Sequence, residues 1–264
     1  MASKITRQAT NGIEKQFLDR FNSLCQTRSS WQVWSDFITV AAIALANSVD
    51  RESELHDKRE REYEDCIKRL GGMEVPAEML GLITMALEEN PEQDFLGSMF
   101  MRLELGNHWK GQFFTPYSVC KAMAEINAPD LEATIEAKGW VSVNDPACGA
   151  GATLIAMANT MKNHEVNYQN HALFVAQDID RVAGMMCYIQ LSLLGCAGYV
   201  AIADTLCDPL VGSNVLQPMP NENQEVWYTP MYASEVWHFR RLFNMMDLFF
   251  FRKSETMQEN GSLK

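Results

Sequence analysis

The sequence predicts an α/β protein in which a helical N-terminal region precedes a sheet of mostly parallel strands. Three observations support this fold class. Up to about residue 106, apolar residues recur at helical spacing. Beyond that point, short runs rich in β-branched and aromatic residues alternate with helical stretches, which is typical of parallel strands joined by crossover helices. The first of these strands passes through a glycine turn into a helix, as at the ligand-binding corner of an open α/β sheet.

The N-terminal region reads as a series of helices. Apolar residues fall on one helical face in Phe17–Leu24 and again in Trp31–Leu45. Residues 50–70 carry dense charges of both signs, which favours a solvated helix with many ion pairs over a uniformly basic nucleic-acid-binding helix. Further helices are expected over Pro76–Glu89 and Phe95–Leu105.

The composition limits the possible classes of protein. The longest apolar stretch, Phe37–Ala46, is shorter than the roughly 18 residues that indicate a membrane span, and no basic-then-apolar leader is visible. We therefore expect no membrane association. The seven cysteines include no Cys-x-x-Cys pair, which argues against a disulfide framework or a metal site, and we expect a reducing, cytoplasmic location. Cys148, Cys187 and Cys196 lie in apolar segments and are expected to be buried thiols.

The rest of the chain is arranged around the run Asp145-Pro146-Ala147-Cys148-Gly149-Ala150-Gly151, which follows the strand-forming residues 140–143. Its two glycines permit a sharp turn and a close approach to a ligand. The run lacks the Gly-x-Gly-x-x-Gly of dinucleotide-binding folds, and it resembles motif I of the S-adenosylmethionine-dependent amino-methyltransferases of DNA. The resemblance implies that Asp145, Pro146, Ala147, Gly149 and Gly151 bind this cofactor. The alternative is a plain connecting turn.

A second motif precedes this run. Residues 111–116 read Gly-Gln-Phe-Phe-Thr-Pro, which closely resembles the Gly-Gln-Phe-Tyr-Thr-Pro signature of the modification subunits of type I restriction systems. The resemblance implies that Phe114, Thr115 and Pro116 pack over the methionine end of the cofactor. Taken alone, the same residues could be a helix cap with two core phenylalanines, with the helix starting at Thr115-Pro116.

Two further carboxylates follow predicted strands. Asp178-Ile179 follows residues 172–176 and resembles part of the family's Gly-x-Glu-Ile-Asp run, whose acidic residue binds the ribose hydroxyls. A carboxylate suits that role because it can accept two hydrogen bonds from a vicinal diol. Asp204-Thr205 follows residues 199–202 and resembles the family's Gly-Asp-Thr-Leu, whose aspartate accepts from the cofactor's adenine amino group. A helix N-cap, the alternative role for an acid here, fits Asp180 better than Asp178.

The resemblance weakens toward the C-terminal end. The family's fourth motif, Asn/Asp-Pro-Pro-Tyr/Phe, binds the amino group of a flipped adenine through two acceptors and stacks an aromatic ring on the base. This tetrapeptide is absent from the sequence. Thr229-Pro230-Met231-Tyr232, after a predicted fourth strand at residues 225–228, comes nearest. Thr229, Pro230 and Tyr232 are the candidate catalytic residues, and the alternative is a simple strand-to-loop junction.

We therefore predict an N-terminal helical domain over residues 1–107 and a truncated Rossmann-like methyltransferase domain over residues 108–264. The predicted function is S-adenosylmethionine-dependent transfer of a methyl group to the N6 amino group of adenine in DNA, within a restriction-modification system. The net charge of −12 disfavours DNA binding by this chain alone, so DNA is expected to be bound through a partner subunit or self-association. Two alternatives stay open, a catalytically inactive cofactor-binding module that acts through a protein partner, and a methyltransferase for proteins or small molecules.

Overall fold

In the computed structural model, the described residues are 12–50, 54–105, 114–210 and 214–246. The first part is helical, as expected. It consists of α1 (Gly12–Leu24), α2 (Ser30–Val49), α3 (Glu54–Leu70), α4 (Glu74–Glu89) and α5 (Phe95–Arg102). In α1 the buried residues are Phe17, Phe21 and Leu24, whose spacing places them on one face of the helix. The rings of Phe17 and Phe21 pack edge-to-face against α2, Phe17 on Trp34 and Phe37 and Phe21 on Trp34.

Helix α2 lies at the centre of the helical part. Most of its residues from Val33 to Ile43 are buried, and it packs against α3, α4 and the later helix α10 (Arg181–Leu193). By length and composition alone, this 20-residue helix could cross a membrane, and about three-fifths of its most apolar stretch is buried inside the protein. Central helices of soluble proteins have the same length and composition. Its burial here therefore accounts for its apolar sequence as a core helix.

Helix α3 has the ion pairs that its mixed charges predict. Within the helix, Lys68 lies 3.9 Å from Glu64 and 3.5 Å from Asp65. Between helices, the Arg69 guanidinium donates to the buried carboxylate of Asp36 in α2, with a shortest distance of 2.7 Å. A buried carboxylate needs such a partner because its isolated charge is costly to remove from water. This pair therefore joins α3 to α2.

The sheet contains β1 (Val141–Asp145), β2 (Ala172–Asp178), β3 (Ala197–Ile202) and β4 (Glu225–Tyr228), in that spatial order among the described residues. β1, β2 and β3 are parallel, whereas β4 runs antiparallel to β3. The carboxyl ends of the first three strands therefore lie at one edge of the sheet, as predicted. The α/β fold class with an N-terminal helical part is confirmed.

Helices connect the parallel strands. α6 (Tyr117–Asn127) and α7 (Pro129–Lys138) precede β1, α8 (Ala152–Asn163) and the short α9 (Tyr168–His171) join β1 to β2, and α10 joins β2 to β3. After β4 come a 3-10 turn (Pro230–Ala233) and a helix, α11, described over residues 235–246. The aromatic-rich run Trp237–Phe251 indicates a helix in the sequence, and its residues after 246 lie outside the described part.

The two faces of the sheet are covered unequally. Alternate side chains of a strand point to opposite faces, and Phe174 of β2 joins the large core that the sheet shares with α2, α8 and α10. Its neighbour Leu173 joins a smaller cluster on the other face, with Tyr199 and with Trp237 of α11. The predicted domain boundary after residue 107 falls in residues 106–113, outside the described part, and stays a prediction.

Candidate functional site

The loop from β1 into α8 depends on its two glycines. Gly149 and Gly151 adopt φ values of +52° and +95°, in the left-handed region that side chains disfavour. A Cβ atom at Gly149 would lie 2.9 Å from Cδ1 of Phe114, and one at Gly151 would lie 2.8 Å from Sγ of Cys187. Both contacts are closer than real Cβ atoms make. The loop can therefore hold this shape, with Phe114 directly against it, only with glycine at these two positions.

The Asp145 carboxylate forms hydrogen bonds within this loop. One oxygen of its carboxylate accepts the backbone N–H of Ala147 at 3.1 Å, and the other is hydrogen-bonded by the hydroxyl of Thr153 in the first turn of α8. The aspartate at the end of β1 thereby connects the strand to the following helix across the glycine turn. The side chain is only half-buried, so the carboxylate borders the space above the loop.

Asp178 connects the end of β2 to the same loop. Its Oδ2 accepts the backbone N–H of Gly149 at 2.8 Å, and its Oδ1 accepts that of Asp180 at 2.8 Å. Burial raises the pKa of the Asp178 carboxyl, while these two N–H groups act in the opposite direction. Ile179 beside it is mostly exposed. Asp180 is the N-cap of α10, as the sequence favoured, and accepts the N–H groups of Val182 and Ala183.

Asp204 and Thr205 follow β3 at the same edge. The half-buried Asp204 accepts the backbone N–H groups of Leu206 and Cys207 through Oδ1, and these bonds lower the pKa of its carboxyl. The Thr205 hydroxyl donates to the carbonyl of Pro146 at 2.5 Å, which links this loop to the glycine loop. The structure thus brings the loops of Asp145, Asp178 and Asp204 together at the carboxyl edge of the parallel strands.

An open cleft of about 90 Å³ lies over the glycine loop. Its walls include Asp145, Gly149, Phe114 and Thr115, which were predicted from the sequence, and Asp94, which was not. Asp94 is the N-cap of α5. The sequence shows an acid before a helix, which indicates the cap, but nothing in the local pattern places that cap against a loop about 55 positions later. Residues 108–113, which include the first half of the Gly-Gln-Phe-Phe-Thr-Pro run, lie outside the described part.

A larger open cleft, of about 480 Å³, lies between α3 and the start of β4. Its two arginines are ion-paired, since Arg181 is bound by Glu62 at 2.8 Å and by Glu225 at 2.8 Å, and Arg59 is bound by Asp50 at 3.2 Å. Because its arginines are already neutralised, this cleft does not attract an anionic ligand as strongly as its cations alone would.

The candidate catalytic residues lie elsewhere. Because β4 is antiparallel, its end lies beside the start of β3, and the buried Thr229 hydroxyl donates to Cys196 O at 2.7 Å and accepts Gly198 N–H at 3.0 Å. Pro230 begins the 3-10 turn that follows, and Tyr232 donates to a backbone carbonyl at 2.6 Å. The length of β3, roughly 16 Å at about 3.3 Å per residue, separates them from the carboxyl edge. The structure does not bring Thr229, Pro230 and Tyr232 together with the three aspartate loops.

The direction of β4 has a visible cause. A parallel connection needs a crossover of a dozen or more residues, usually a helix. The described residues between β3 and β4 contain no helix, and their run Gln217-Pro218-Met219-Pro220 disfavours one. This proline-rich connection is the sequence signal that could have indicated an antiparallel fourth strand.

Comparison with known proteins identifies the family. A sequence model described as "N-6 DNA Methylase" matches residues 97–260, well over half of the chain. The chain belongs to the N-6 DNA methylase family. This confirms the resemblance of its motifs to the N6-adenine DNA methyltransferases. No curated protein matches the sequence of this family member.

A solved structure is also similar to this N-6 DNA methylase family member. It is the crystal structure of the type I restriction-modification system methyltransferase subunit from Streptococcus thermophilus, with 13% identity and a TM-score of 0.40. The match covers 76% of the present chain and 60% of the subunit. The family member thus corresponds to only part of that subunit's length.

Within the described residues, no group of three or more His, Cys, Asp or Glu side chains could hold a metal ion.

Proposed function

We propose that this chain binds S-adenosylmethionine at the carboxyl edge of β1–β3, and that it serves methyl transfer to the N6 amino group of adenine in DNA. The observation that carries the proposal is the contact between the Asp178 carboxylate and the Gly149 N–H, at 2.8 Å. It places the acid that would bind the ribose directly beside the glycine turn that would pass under the cofactor. Family membership supplies the reaction class.

The residues at this edge fit the cofactor chemically. Each oxygen of Asp178 accepts one backbone N–H group, and its second lone pair remains for a ribose hydroxyl. Asp204 uses one carboxylate oxygen for its own turn, and we assign the other to the adenine amino group, with Ile179 and Thr205 beside it. Gly149 leaves no side chain between the backbone and the ligand.

The methionine end would lie over Asp145, Pro146 and Ala147, toward Phe114, Thr115 and Pro116. Phe114 and Thr115 line the cleft with Asp145 and Ala147, so these side chains and the loop backbone would position that end and exclude water from it. When bound, the cofactor supplies the methyl group for the reaction. The protein groups described here bind and orient it.

The acceptor for the methyl group requires a second component. Transfer to an adenine amino group needs hydrogen-bond acceptors near the methyl donor, and the Thr229 hydroxyl already has partners inside the sheet. The net charge of −12 also opposes contact with DNA phosphates by this chain alone. We therefore propose that DNA, and the groups that hold the flipped adenine, are brought by a partner subunit or a second copy of the chain.

One observation favours a second candidate function. Thr229, Pro230 and Tyr232 lie at the far end of the sheet from the cofactor edge. With no amine-binding site beside the cofactor edge among the described residues, the chain could act as a cofactor-binding module that regulates or stabilises a partner. Transfer of labelled methyl groups to adenine-containing duplex DNA, with and without the products of neighbouring genes, separates the two. Incorporation only with the partner supports the first function, and none in either case supports the second.

Cofactor binding is tested by calorimetric titration of S-adenosylmethionine into wild-type protein, Asp178→Ala and Asp180→Ala. We expect micromolar binding to the wild type and none to Asp178→Ala. Asp180→Ala is the matched control, since it removes a neighbouring acid that caps α10 and costs stability of about 1 kcal/mol without facing the ligand. A wild type that fails to bind at millimolar cofactor would refute the proposal.

A further inference from the structure

Asp94 is a buried carboxylate that no predicted role uses. It caps α5, where its Oδ1 accepts the Gly97 N–H at 2.8 Å, and only 5% of the residue is exposed. Nevertheless it forms part of the wall of the cleft over the glycine loop. A Cβ atom at position 97 would fall on Asp94 Oδ2, so the carboxylate can lie here only because residue 97 is glycine. Two positions of the sequence thus serve to place one acid in the wall of the cleft.

Gln190 fixes this acid relative to the glycine loop. Its side-chain amide is fully buried and donates both to Asp94 Oδ1 at 2.8 Å and to the carbonyl of Ala150 at 2.9 Å. Its oxygen accepts the N–H of Leu96 at 3.1 Å. One glutamine of α10 therefore joins the start of α5 to the turn between Gly149 and Gly151. The carboxylate is held rigidly at one wall of the cleft.

The charge of Asp94 is not balanced within the described part of the chain. Its hydrogen-bond donors there, Gly97 and Gln190, are both neutral, and no lysine, arginine or histidine of the described ranges pairs with it. Burial accordingly raises the pKa of its carboxyl. An uncompensated buried carboxylate is costly, and a cation in the adjoining cleft would relieve that cost. A positively charged group of a ligand in this cleft would therefore be stabilised by Asp94.

We propose that Asp94 binds the α-ammonium group of the methionine end of S-adenosylmethionine. The assignment rests on the proposed function, which places the ribose and adenine at Asp178 and Asp204 and directs the methionine end toward Phe114 and Thr115, beside Asp94. The α-ammonium has N–H donors for a carboxylate and forms the strong, charge-assisted type of hydrogen bond. The sulfonium, the other cation of the cofactor, has no N–H to donate.

The test compares two ligands that differ at this end. S-adenosylhomocysteine carries the α-ammonium without a sulfonium charge, and 5′-methylthioadenosine lacks the amino acid part altogether. Both are titrated calorimetrically into wild-type protein and Asp94→Asn, which keeps an acceptor for the Gly97 N–H and removes the charge. We expect Asp94→Asn to bind S-adenosylhomocysteine about 10- to 100-fold more weakly. Its affinity for 5′-methylthioadenosine should stay within about twofold of the wild type.

Asp180→Asn is the matched control, the same change at a helix N-cap outside the cleft, and should alter neither affinity. Equal losses of both ligands in Asp94→Asn would show a merely structural role and overturn the assignment, as would unchanged binding of both. In these two outcomes the wild type still binds, so the proposed cofactor site stands. A wild type that binds neither ligand would remove the proposed function and this assignment together.

Discussion

Single residues near the carboxyl edge have environments or backbone conformations that few residues tolerate. Asp94 and Asp178 are carboxyls with raised pKa values, and Gly149 and Gly151 have left-handed backbones that only glycine adopts without strain. Burial of the two carboxyls costs stability in the free protein. A ligand that binds beside them can compensate for this cost.

The raised pKa of Asp94 has a consequence for stability. A carboxyl whose folded pKa is raised contributes stability that is fully present below its unfolded pKa and is lost as the pH rises through the folded pKa. Compared with Asp94→Asn, the ligand-free wild type should therefore lose stability above the ordinary aspartate range and level off once the carboxyl is ionised. Urea denaturation of both proteins from about pH 4 to about pH 8 measures this difference. A difference that grows in favour of the wild type with rising pH would contradict it.

The left-handed backbone of Gly149 gives a second expectation. Gly149→Ala should lower the free energy of unfolding by about 1–3 kcal/mol, because the new Cβ meets the Phe114 ring and the backbone region is strained. Cofactor binding should weaken with it. Gly81→Ala is the control, since this helical glycine has open space around it and alanine there should stabilise α4 by up to about 1 kcal/mol. Equal effects of the two changes on denaturation would refute the role of Gly149.

At the scale of elements, β4 determines what the end of the described chain can do. Because it pairs antiparallel with β3, it carries Thr229 into the sheet, where the hydroxyl satisfies backbone groups of Cys196 and Gly198. The element therefore closes one side of the sheet. In the proposed function β4 has a structural role, and the cofactor is bound at the carboxyl edge of β1–β3.

Substitution of Thr229 distinguishes a structural role of its hydroxyl from a role in methyl transfer. Thr229→Val should cost about 1–3 kcal/mol of stability, because the buried Gly198 N–H loses its acceptor. Thr229→Ser keeps the hydroxyl and should cost less. Neither change should alter the affinity for S-adenosylmethionine, which calorimetry on the folded variants measures. A large loss of methyl transfer in Thr229→Ser at unchanged stability would instead indicate that Thr229 takes part in the reaction.

Much of the element order can be predicted from the sequence, and the exceptions have physical reasons. The helical part and the three strands that end in aspartates follow from local periodicity and turn residues. Helix α7 is not predicted, because Pro129–Lys138 has few apolar residues and no clear apolar face. The direction of β4 is indicated in the sequence only by the proline-rich connection before it. The approach of Asp94 to Ala150 is a tertiary relation between distant segments, and local patterns carry no information on it.

For the whole molecule, the Gln190 bridge couples the helical part to the sheet, so ligand binding at the cleft should stabilise both together. At a cofactor concentration of about 100 times Kd, the gain should be about 2.7 kcal/mol. For a protein of this size that corresponds to an increase in Tm of roughly 5–10 °C. Differential scanning calorimetry with and without S-adenosylmethionine checks it, and Asp178→Ala should show no increase. A cofactor-dependent increase retained in Asp178→Ala would place the binding site elsewhere.

The burial of α2 also bears on how the chain is made. α2 leaves the ribosome more than a hundred residues before α10. In the folded protein the Thr39 hydroxyl of α2 lies 3.8 Å from the sulfur atom of Met185 in α10. At usual rates of synthesis the interval is on the order of ten seconds. During that time a helix with the length and composition of a membrane span has no completed core to enter. The face of α2 that α10 covers should therefore stay exposed on the growing chain until α10 has emerged.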